Sequence, residues 1–465
     1  MIDPVLASRL QFALTTMVHI IFPTISMGIA PFIVYFAWKE YRGNGEPWIS
    51  LRRFWVKVFA ITFVVGTVTG IVLEFEFGTN FARYASAVGG IFGGPLATEG
   101  FMAFFLESTF LGILVFGRER VSDRLYFLSS VLVAVGSWLS AVWILIANSW
   151  MQTPRGFEMG MRAGQRVAVI TDPVAAYLNP RFPWMFFHMQ MGAVLAAALF
   201  VGGIAMYKLT TTDERRAFWK TSLKVAIVAM LITAPFQAIQ GDAYARHVYQ
   251  TQPQKFAAME AVWETDTYVP EYLIAFPTDL EDFLNPRAKE LFGIGIPGGA
   301  SWLASGGDPS AKIRGLESFD TKAPPVVFVF WSFRMMVGLG MWFILLALWA
   351  GYRWRTGELL EDRWLRRGMI ASTGLGVVAV ELGWIVTEVG RQPWAIQGVL
   401  KVSQSVSPNL TSTEATITLL GFVLGYAALL SIWSYLMYRI IRAGPNAPTE
   451  EGQGTTPSTT EVAAE

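Results

Sequence analysis

The chain has 465 residues, of which 53% are hydrophobic and 15% are charged, and its formal net charge is +1. This composition is typical of a polytopic membrane protein, and the nearly balanced charge argues against a nucleic-acid partner. Because the chain contains no cysteine, it cannot form disulfides or hold a metal through thiolates. A redox centre in this chain would need histidine, methionine or carboxylate ligands.

Nine apolar runs are long enough to cross a bilayer, which predicts an all-α membrane protein with about nine transmembrane helices. The first run lacks a small-residue cleavage site, so we expect a retained helix and not a removable signal peptide. In chain order the runs fall at about 10–38, 54–78, 94–116, 124–148, 183–207, 219–240, 326–352, 366–390 and 413–442.

Basic residues follow the first, third, fifth, seventh and ninth runs, whereas most of the other short connections contain few. The positive-inside rule therefore predicts that the N-terminus lies outside the membrane and the C-terminus inside. The connection between the fourth and fifth runs, which carries Arg155 and Arg181, fits this orientation less well.

The chain divides into four predicted segments. Helices one to six occupy 1–240, an outer-face loop occupies 241–325, and helices seven to nine occupy 326–443. A loop of this length usually has a function. The remaining segment, 444–465, is rich in Pro, Thr, Gly and Glu, which predicts a disordered cytoplasmic tail.

Two acids interrupt the third apolar run, Glu99 and Glu107. An ionisable group in the hydrocarbon costs roughly 2.5–3.5 kcal/mol, so such groups usually face a bundle interior, a water path or a cofactor. The hydroxyls of Ser108 and Ser140 could assist a proton relay, and ordinary hydrogen bonding between helices explains them equally well.

Two of the three histidines, His19 and His188, lie within predicted spans, whereas His247 is interpreted as a solvated loop residue. With the predicted orientation, several candidate ligands share the outer half of the bilayer. Histidine, methionine and carboxylate at one depth, with arginines nearby to balance haem propionates, are what a haem site requires. This set comprises His19, Glu99, His188, Met336 and Glu388, with Arg334 and Arg391 as the counter-charges.

The sequence also resembles a known family. The likeness runs from the first predicted helix to the ninth, and the segments that carry it lie between the first and the eighth. These segments are SRLQFALTTMVHIIF, EFEFGTNFARY, GPLATEGFMAFFLESTFLG, WILIANSWMQTP, FRMMVGLG and ELGWIVTEVGRQPWAI. In order and spacing they are similar to subunit I of the cytochrome bd quinol oxidases.

The resemblance implies three haems and their ligands. His188 and Met336 match the axial ligands of a low-spin haem b. His19, Glu99 and Glu388 match the ligands of two high-spin haems, and which residue binds which haem stays open. One of these two is a haem b, and the haem at the oxygen site is haem d or a further haem b.

Further roles follow from the same resemblance. Trp384 matches an aromatic residue between haems, and Arg391 and Trp394 match haem-binding positions. Glu107, with Ser108 and Ser140, matches a route that delivers protons.

The predicted outer loop matches the part of the family that binds quinol. Lys255 and Glu260 match the pair associated with quinol binding. The loop is of the family's shorter type, and whether the chain belongs to the cyanide-insensitive branch stays open.

The resemblance implies a terminal oxidase in a prokaryotic cell membrane that oxidises ubiquinol or menaquinol and reduces oxygen to water. It would contribute to the proton motive force without a separate pump. Its partners would be a second large membrane subunit and, in some members, a small single-helix subunit.

Two alternatives are a haem b anchor of a quinone-linked dehydrogenase and a haem-free proton-coupled transporter. The additional His19, Glu99 and Glu388 set argues against the first alternative, and the His188 and Met336 pair against the second.

Overall fold

The computed structural model of the chain describes residues 2–162, 164–277 and 291–445. Within these residues, eight helices are long and apolar enough to cross a membrane, and one bent pair of helices brings the number to nine. The prediction of an all-helical membrane bundle with about nine spans is confirmed. Most of the predicted tail, and residues 278–290 of the predicted loop, lie outside the described residues.

The first half of the chain contains six long spans and a short hairpin. Its elements are α1 (Pro4–Tyr41), α2 (Trp48–Thr79), α3 (Ala82–Thr98), α4 (Phe104–Phe116), α5 (Asp123–Gln152), β1 (Phe157–Arg162), β2 (Gln165–Ile170), α6 (Pro173–Tyr177), α7 (Phe182–Thr211) and α8 (Arg216–Thr251).

The second half contains the extramembrane insertion and the remaining spans. Its elements are α9 (Pro253–Met259), β3 (Glu271–Pro277), β4 (Leu291–Ile296), α10 (Gly299–Ser305), α11 (Val326–Thr356), α12 (Arg363–Ala371), α13 (Leu375–Val389), β5 (Trp394–Ile396), β6 (Leu400–Lys401) and α14 (Ser412–Ala443). The three strand pairs are small antiparallel hairpins, which the sequence patterns did not predict.

Several spans extend beyond their apolar runs. α1 begins at Pro4 because the Asp3 side chain accepts a 3.0 Å hydrogen bond from the backbone N–H of Leu6 and caps the helix. α8 continues to Thr251, so the predicted loop start at 241 lies inside a helix. The added turns are held in place because Val248 packs in one apolar cluster with residues of the insertion that follows.

The third span begins at Ala82, earlier than predicted, and it is not a uniform α-helix. A π-helical turn, Glu99–Ala103, joins α3 to α4. Such turns are rare and are frequent at functional sites. Here the turn starts at Glu99 and therefore changes the angular relation between Glu99 and Glu107 from that of a regular helix.

The eighth span consists of α12 and α13, which meet at an angle of 46°. The break contains Ser372, Thr373 and Gly374. Ser372 accepts a 2.9 Å hydrogen bond from Nε1 of Trp342, and the Thr373 hydroxyl donates to the backbone carbonyl of Ile370, near the end of α12, at 2.6 Å. Side-chain hydrogen bonds of this kind and glycine are ordinary causes of a helix kink.

α7 forms the centre of the bundle, where small residues allow close contact with its neighbours. A Cβ atom on Gly28 of α1 would lie 2.1 Å from the carbonyl oxygen of Ala193, and one on Gly203 would lie 2.1 Å from Oγ1 of Thr373. Glycine is therefore required at both contacts. The consequence is that α7, which carries His188, is fixed between α1 and the bent span.

Candidate functional site

A cavity of about 440 Å³ lies between α7, α8, α11 and α13. His188 and Met336, two distant residues that the sequence paired, both line it, and Trp384 lies in the same wall. Lys255 and Glu260 line the end formed by the extramembrane insertion. The cavity thus joins an apolar compartment within the bundle to a charged end.

The ring of His188 is oriented by a hydrogen bond. Its Nδ1 lies 2.5 Å from Oε1 of Gln240, and Nε2 of the same amide donates to the backbone carbonyl of Trp184 at 2.9 Å. Because the amide oxygen can only accept, Nδ1 of His188 carries the proton. Nε2 of His188 is then a lone-pair donor suitable for a metal, with the second interaction that metal-binding histidines usually have.

Two glycines of the cavity wall leave space beside the candidate ligands. A Cβ atom on Gly241 would lie 3.3 Å from Cε1 of His188, and one on Gly383 would lie 3.1 Å from Sδ of Met336. Larger residues at these positions would occupy the volume next to both donors. The residues present therefore fit a haem held by a histidine and a methionine.

The charged end contains two acids that share one arginine. Arg334 donates from Nη2 to Glu260, and its Nη1 lies 2.8 Å from Oε1 of Glu271. All three side chains are largely buried, and both acids line the cavity. Burial and the nearby Glu260 carboxylate raise the pKa of Glu271 to about 9. Arg334, predicted as a propionate counter-charge, is therefore already engaged by the protein.

Lys255 is buried at the same end. Its Nζ donates to Oε1 of Gln152 at 2.6 Å and to the Thr387 carbonyl at 2.9 Å. Burial, together with the positive charges of Arg181 and Arg391, lowers the pKa of Lys255 well below its usual range. Lys255 is thus a buried hydrogen-bond donor of the cavity wall.

Glu388 takes part in a network that reaches the same glutamine. Arg391 donates to one carboxylate oxygen of Glu388, and Asn148 and Gln152 donate to the other at 3.0 and 3.3 Å. Gln152 therefore contacts both Lys255 and Glu388, and it is fully buried. The network connects the charged end of the cavity to a predicted haem ligand.

The two acids of the third span pair with different serines of α5. Ser140 donates to Glu99 at 2.5 Å, whereas Glu107 accepts from Ser137, a residue that was not predicted. The hydroxyl of Ser108 donates to the Phe105 carbonyl of its own helix at 3.3 Å. Of the two predicted serines, neither is hydrogen-bonded to Glu107.

The ring of His19, like that of His188, is oriented by a hydrogen bond at Nδ1. Its Nδ1 lies 3.0 Å from Oγ1 of Thr69, and the Thr69 hydroxyl donates to backbone carbonyls of α2, the nearer at 2.9 Å. Oγ1 therefore accepts from Nδ1 of His19, which leaves Nε2 as a lone-pair donor. A Cβ atom on Gly70 would approach Cε1 of His19 to 3.1 Å. This donor also fits a metal ligand.

The structure does not bring all predicted site residues into one cavity. Among the described residues, the cavity wall of His188 and Met336 includes none of His19, Glu99 and Glu388. Trp394 lies outside that wall as well, in β5, with Nζ of Lys401 5.7 Å from its ring centroid. The interpretation of His247 as a loop residue was wrong, since it lies in α8 and stacks on Trp184.

Comparison with known proteins identifies the family. The sequence model described as cytochrome bd terminal oxidase subunit I matches residues 7–445. The chain is 36% identical to the cytochrome bd ubiquinol oxidase subunit 1 of Bacillus subtilis, over 94% of this chain and 93% of that protein. It is 33% identical to the cytochrome bd-II ubiquinol oxidase subunit 1 of Escherichia coli, over 97% and 98%.

A solved structure has the same fold. The bd oxidase from Geobacillus thermodenitrificans matches 95% of this chain and 99% of its own, with a TM-score of 0.84 and 29% sequence identity. With the full-length sequence matches, this likeness shows that the chain belongs to the cytochrome bd terminal oxidase subunit I family.

Proposed function

We propose that the cavity binds a low-spin haem b through His188 and Met336 and receives quinol at its charged end. The observation that carries this proposal is that both ligands and the Lys255 and Glu260 pair line a single cavity. As a subunit I of this family, the chain is part of a membrane quinol:oxygen oxidoreductase that contains haem. Bound haem supplies the one-electron chemistry and the oxygen reduction, which no side chain of this protein could perform.

His19, Glu99 and Glu388 are proposed to hold the two high-spin haems. The hydrogen bond between Nδ1 of His19 and Thr69 supports this role, because it leaves Nε2 free to bind a metal. One of the two haems would be a haem b, and the haem of the oxygen site a haem d or a further haem b.

The charged end has the groups that quinol oxidation needs. A quinol has two hydroxyl groups, and each loses one proton and one electron on oxidation. Glu260 is proposed to accept a hydroxyl proton and Lys255 to hold a quinol oxygen by hydrogen bonding. The quinol would be ubiquinol or menaquinol.

Protons for oxygen reduction would reach the oxygen site from the cytoplasm through Glu107. The hydrogen bond that Ser137 donates to Glu107 supports a polar path inside the bundle. Ser140, through its bond to Glu99, would lie at the oxygen-site end of that path. With the orientation predicted from the basic residues, the oxidase contributes to the proton motive force without a pump.

The working enzyme is proposed to contain a second large membrane subunit, with or without a small single-helix subunit. The described helices leave much apolar surface exposed, on α4 and α14 among others, which the lipid bilayer and such a partner would cover. We place the complex in the inner membrane of a prokaryotic cell.

Quinol kinetics of the purified complex test the charged end. Glu260→Gln and Lys255→Met should lower quinol oxidase turnover or raise KM, while the haem spectrum is unchanged. Glu264→Gln is the matched control, because Glu264 is an exposed acid of the same insertion that does not line the cavity. Wild-type kinetics in both test variants would remove the insertion from the quinol site.

A further inference from the structure

Glu271 is a second acid at the charged end of the cavity, and neither the haem ligands nor the Lys255 and Glu260 pair accounts for it. It lies on β3, in the extramembrane insertion. Its Oε1 lies 2.8 Å from Nη1 of Arg334, whose Nη2 donates to Glu260. One guanidinium group therefore faces two carboxyl groups.

The excess of carboxyl groups over guanidinium groups determines how many protons this site holds. If both acids were ionised, the buried group of three would carry an excess negative charge, which is unfavourable in a site shielded from water. The two acids are therefore expected to share a proton at neutral pH, as close carboxyl pairs do. The raised pKa of Glu271 agrees with this expectation.

The two acids differ in their access to solvent. The side chain of Glu260 is 3% exposed, and that of Glu271 is 14% exposed. Both line the cavity and lie beside the same guanidinium group, so a proton received at Glu260 can move to a neighbour that is more accessible to solvent. The Arg334 guanidinium, which is 5% exposed, holds the two acids in place.

We propose that Glu271 is the exit residue for the protons that quinol oxidation releases, which it passes from Glu260 to water outside the membrane. The inference rests on the proposed quinol site. For each quinol hydroxyl, the O–H bond breaks, the proton goes to Glu260, and the electron enters the redox centres of the oxidase. Glu260 then passes a proton to Glu271, which releases one to water, so that two cycles convert quinol to quinone.

The test compares steady-state quinol oxidase activity of the intact complex across pH, with haem content measured from its spectra. Glu271→Gln should lower kcat by about tenfold or more with a much smaller change in KM, because an amide cannot carry the proton. Glu271→Asp keeps the acid but shortens its reach, so kcat should fall by about threefold with a shifted pH profile. The other charged groups that line the cavity are Arg181, Lys255 and Asp242, which pairs with Arg246, and all of them are unchanged in both variants.

The outcomes separate this inference from the proposed function. If Glu260→Gln slows turnover while both Glu271 variants keep the wild-type kcat and pH profile, the exit role is overturned and the quinol site remains. If Glu260→Gln and Lys255→Met also have wild-type kinetics, the quinol site itself is wrong. If the Glu271→Gln complex does not assemble with haem, the Glu271→Asp variant provides the test. A wild-type kcat and pH profile in that variant would overturn the inference. Glu264→Gln should behave as wild type throughout.

Discussion

Lys255 donates a 2.6 Å hydrogen bond to Gln152, and the amide nitrogen of Gln152 in turn donates to Glu388. A single side chain at the end of α5 therefore joins the proposed quinol end of the cavity to a proposed haem ligand. Gln152 is fully buried, so water cannot replace its amide without a rearrangement.

Gln152→Leu should destabilise the complex. The variant leaves Lys255 with only the Thr387 carbonyl as its hydrogen-bond partner, and an unsatisfied buried polar group costs about 1–3 kcal/mol. We expect a lower melting temperature and a raised KM for quinol, measured by thermal melts and steady-state kinetics. The double variant Gln152→Leu/Lys255→Met removes both partners, so its loss of stability should be smaller than the sum of the single losses. Strict additivity would contradict the link.

Ser137→Ala should slow oxygen consumption more than Ser108→Ala does. Ser137 donates to Glu107, whereas Ser108 donates to its own helix. Glu107→Gln should reduce turnover by about tenfold or more, since it removes the proton carrier. Oxygen uptake with the haem spectrum as a control measures all three. Equal effects of the two serine variants would argue against a path through Ser137.

Gln240→Leu should weaken the low-spin haem site. It removes the acceptor that fixes the His188 ring, and losses of such partners typically cost 10–100-fold in metal affinity or activity. Redox titration and haem loss on dilution measure the effect. Gln237→Leu is the comparison, because Gln237 donates to the backbone carbonyl of His188 and not to its ring. If Gln237→Leu shifts the reduction potential of the haem as much as Gln240→Leu does, packing and not the contact with the His188 ring is responsible for the shift.

Gly28→Ala should destabilise the bundle strongly. Its Cβ would lie 2.1 Å from the carbonyl oxygen of Ala193, so α1 and α7 would have to separate. Overpacking of this kind typically costs about 1–3 kcal/mol. Gly45→Ala is the control, because a Cβ there meets no atom within 4 Å. Thermal melts of the two complexes should differ clearly, and identical melts would contradict the close contact.

The sequence predicted the number and approximate positions of the spans because hydropathy alone decides which segments can cross a bilayer. It missed their ends, since the last turns of helices such as α8 are stabilised by packing against the insertion and not by lipid. The π-helical turn at Glu99 and the bend before Leu375 were also missed. Both lie inside continuous apolar runs, and hydropathy does not report departures from a regular helix within a run.

The candidate ligands were visible in the sequence because charged and metal-binding residues are rare in apolar runs. Their partners were not visible. In the sequence, Gln240, Thr69 and Ser137 are ordinary polar residues. Only the fold places each of them beside a histidine or an acid. A polar side chain inside an apolar run is the signal that could have indicated them, since all three residues lie within predicted spans. Glu271 gave no such signal, because only the fold places β3 beside Arg334.

The most direct test of the central claim is the reduced-minus-oxidised visible spectrum of the purified complex, recorded for the wild type and for His188→Ala and paired with haem extraction. We predict low-spin haem b bands in the wild type that are absent from His188→Ala, while the high-spin bands remain. An unchanged low-spin band in His188→Ala would contradict the assignment of the cavity as its site.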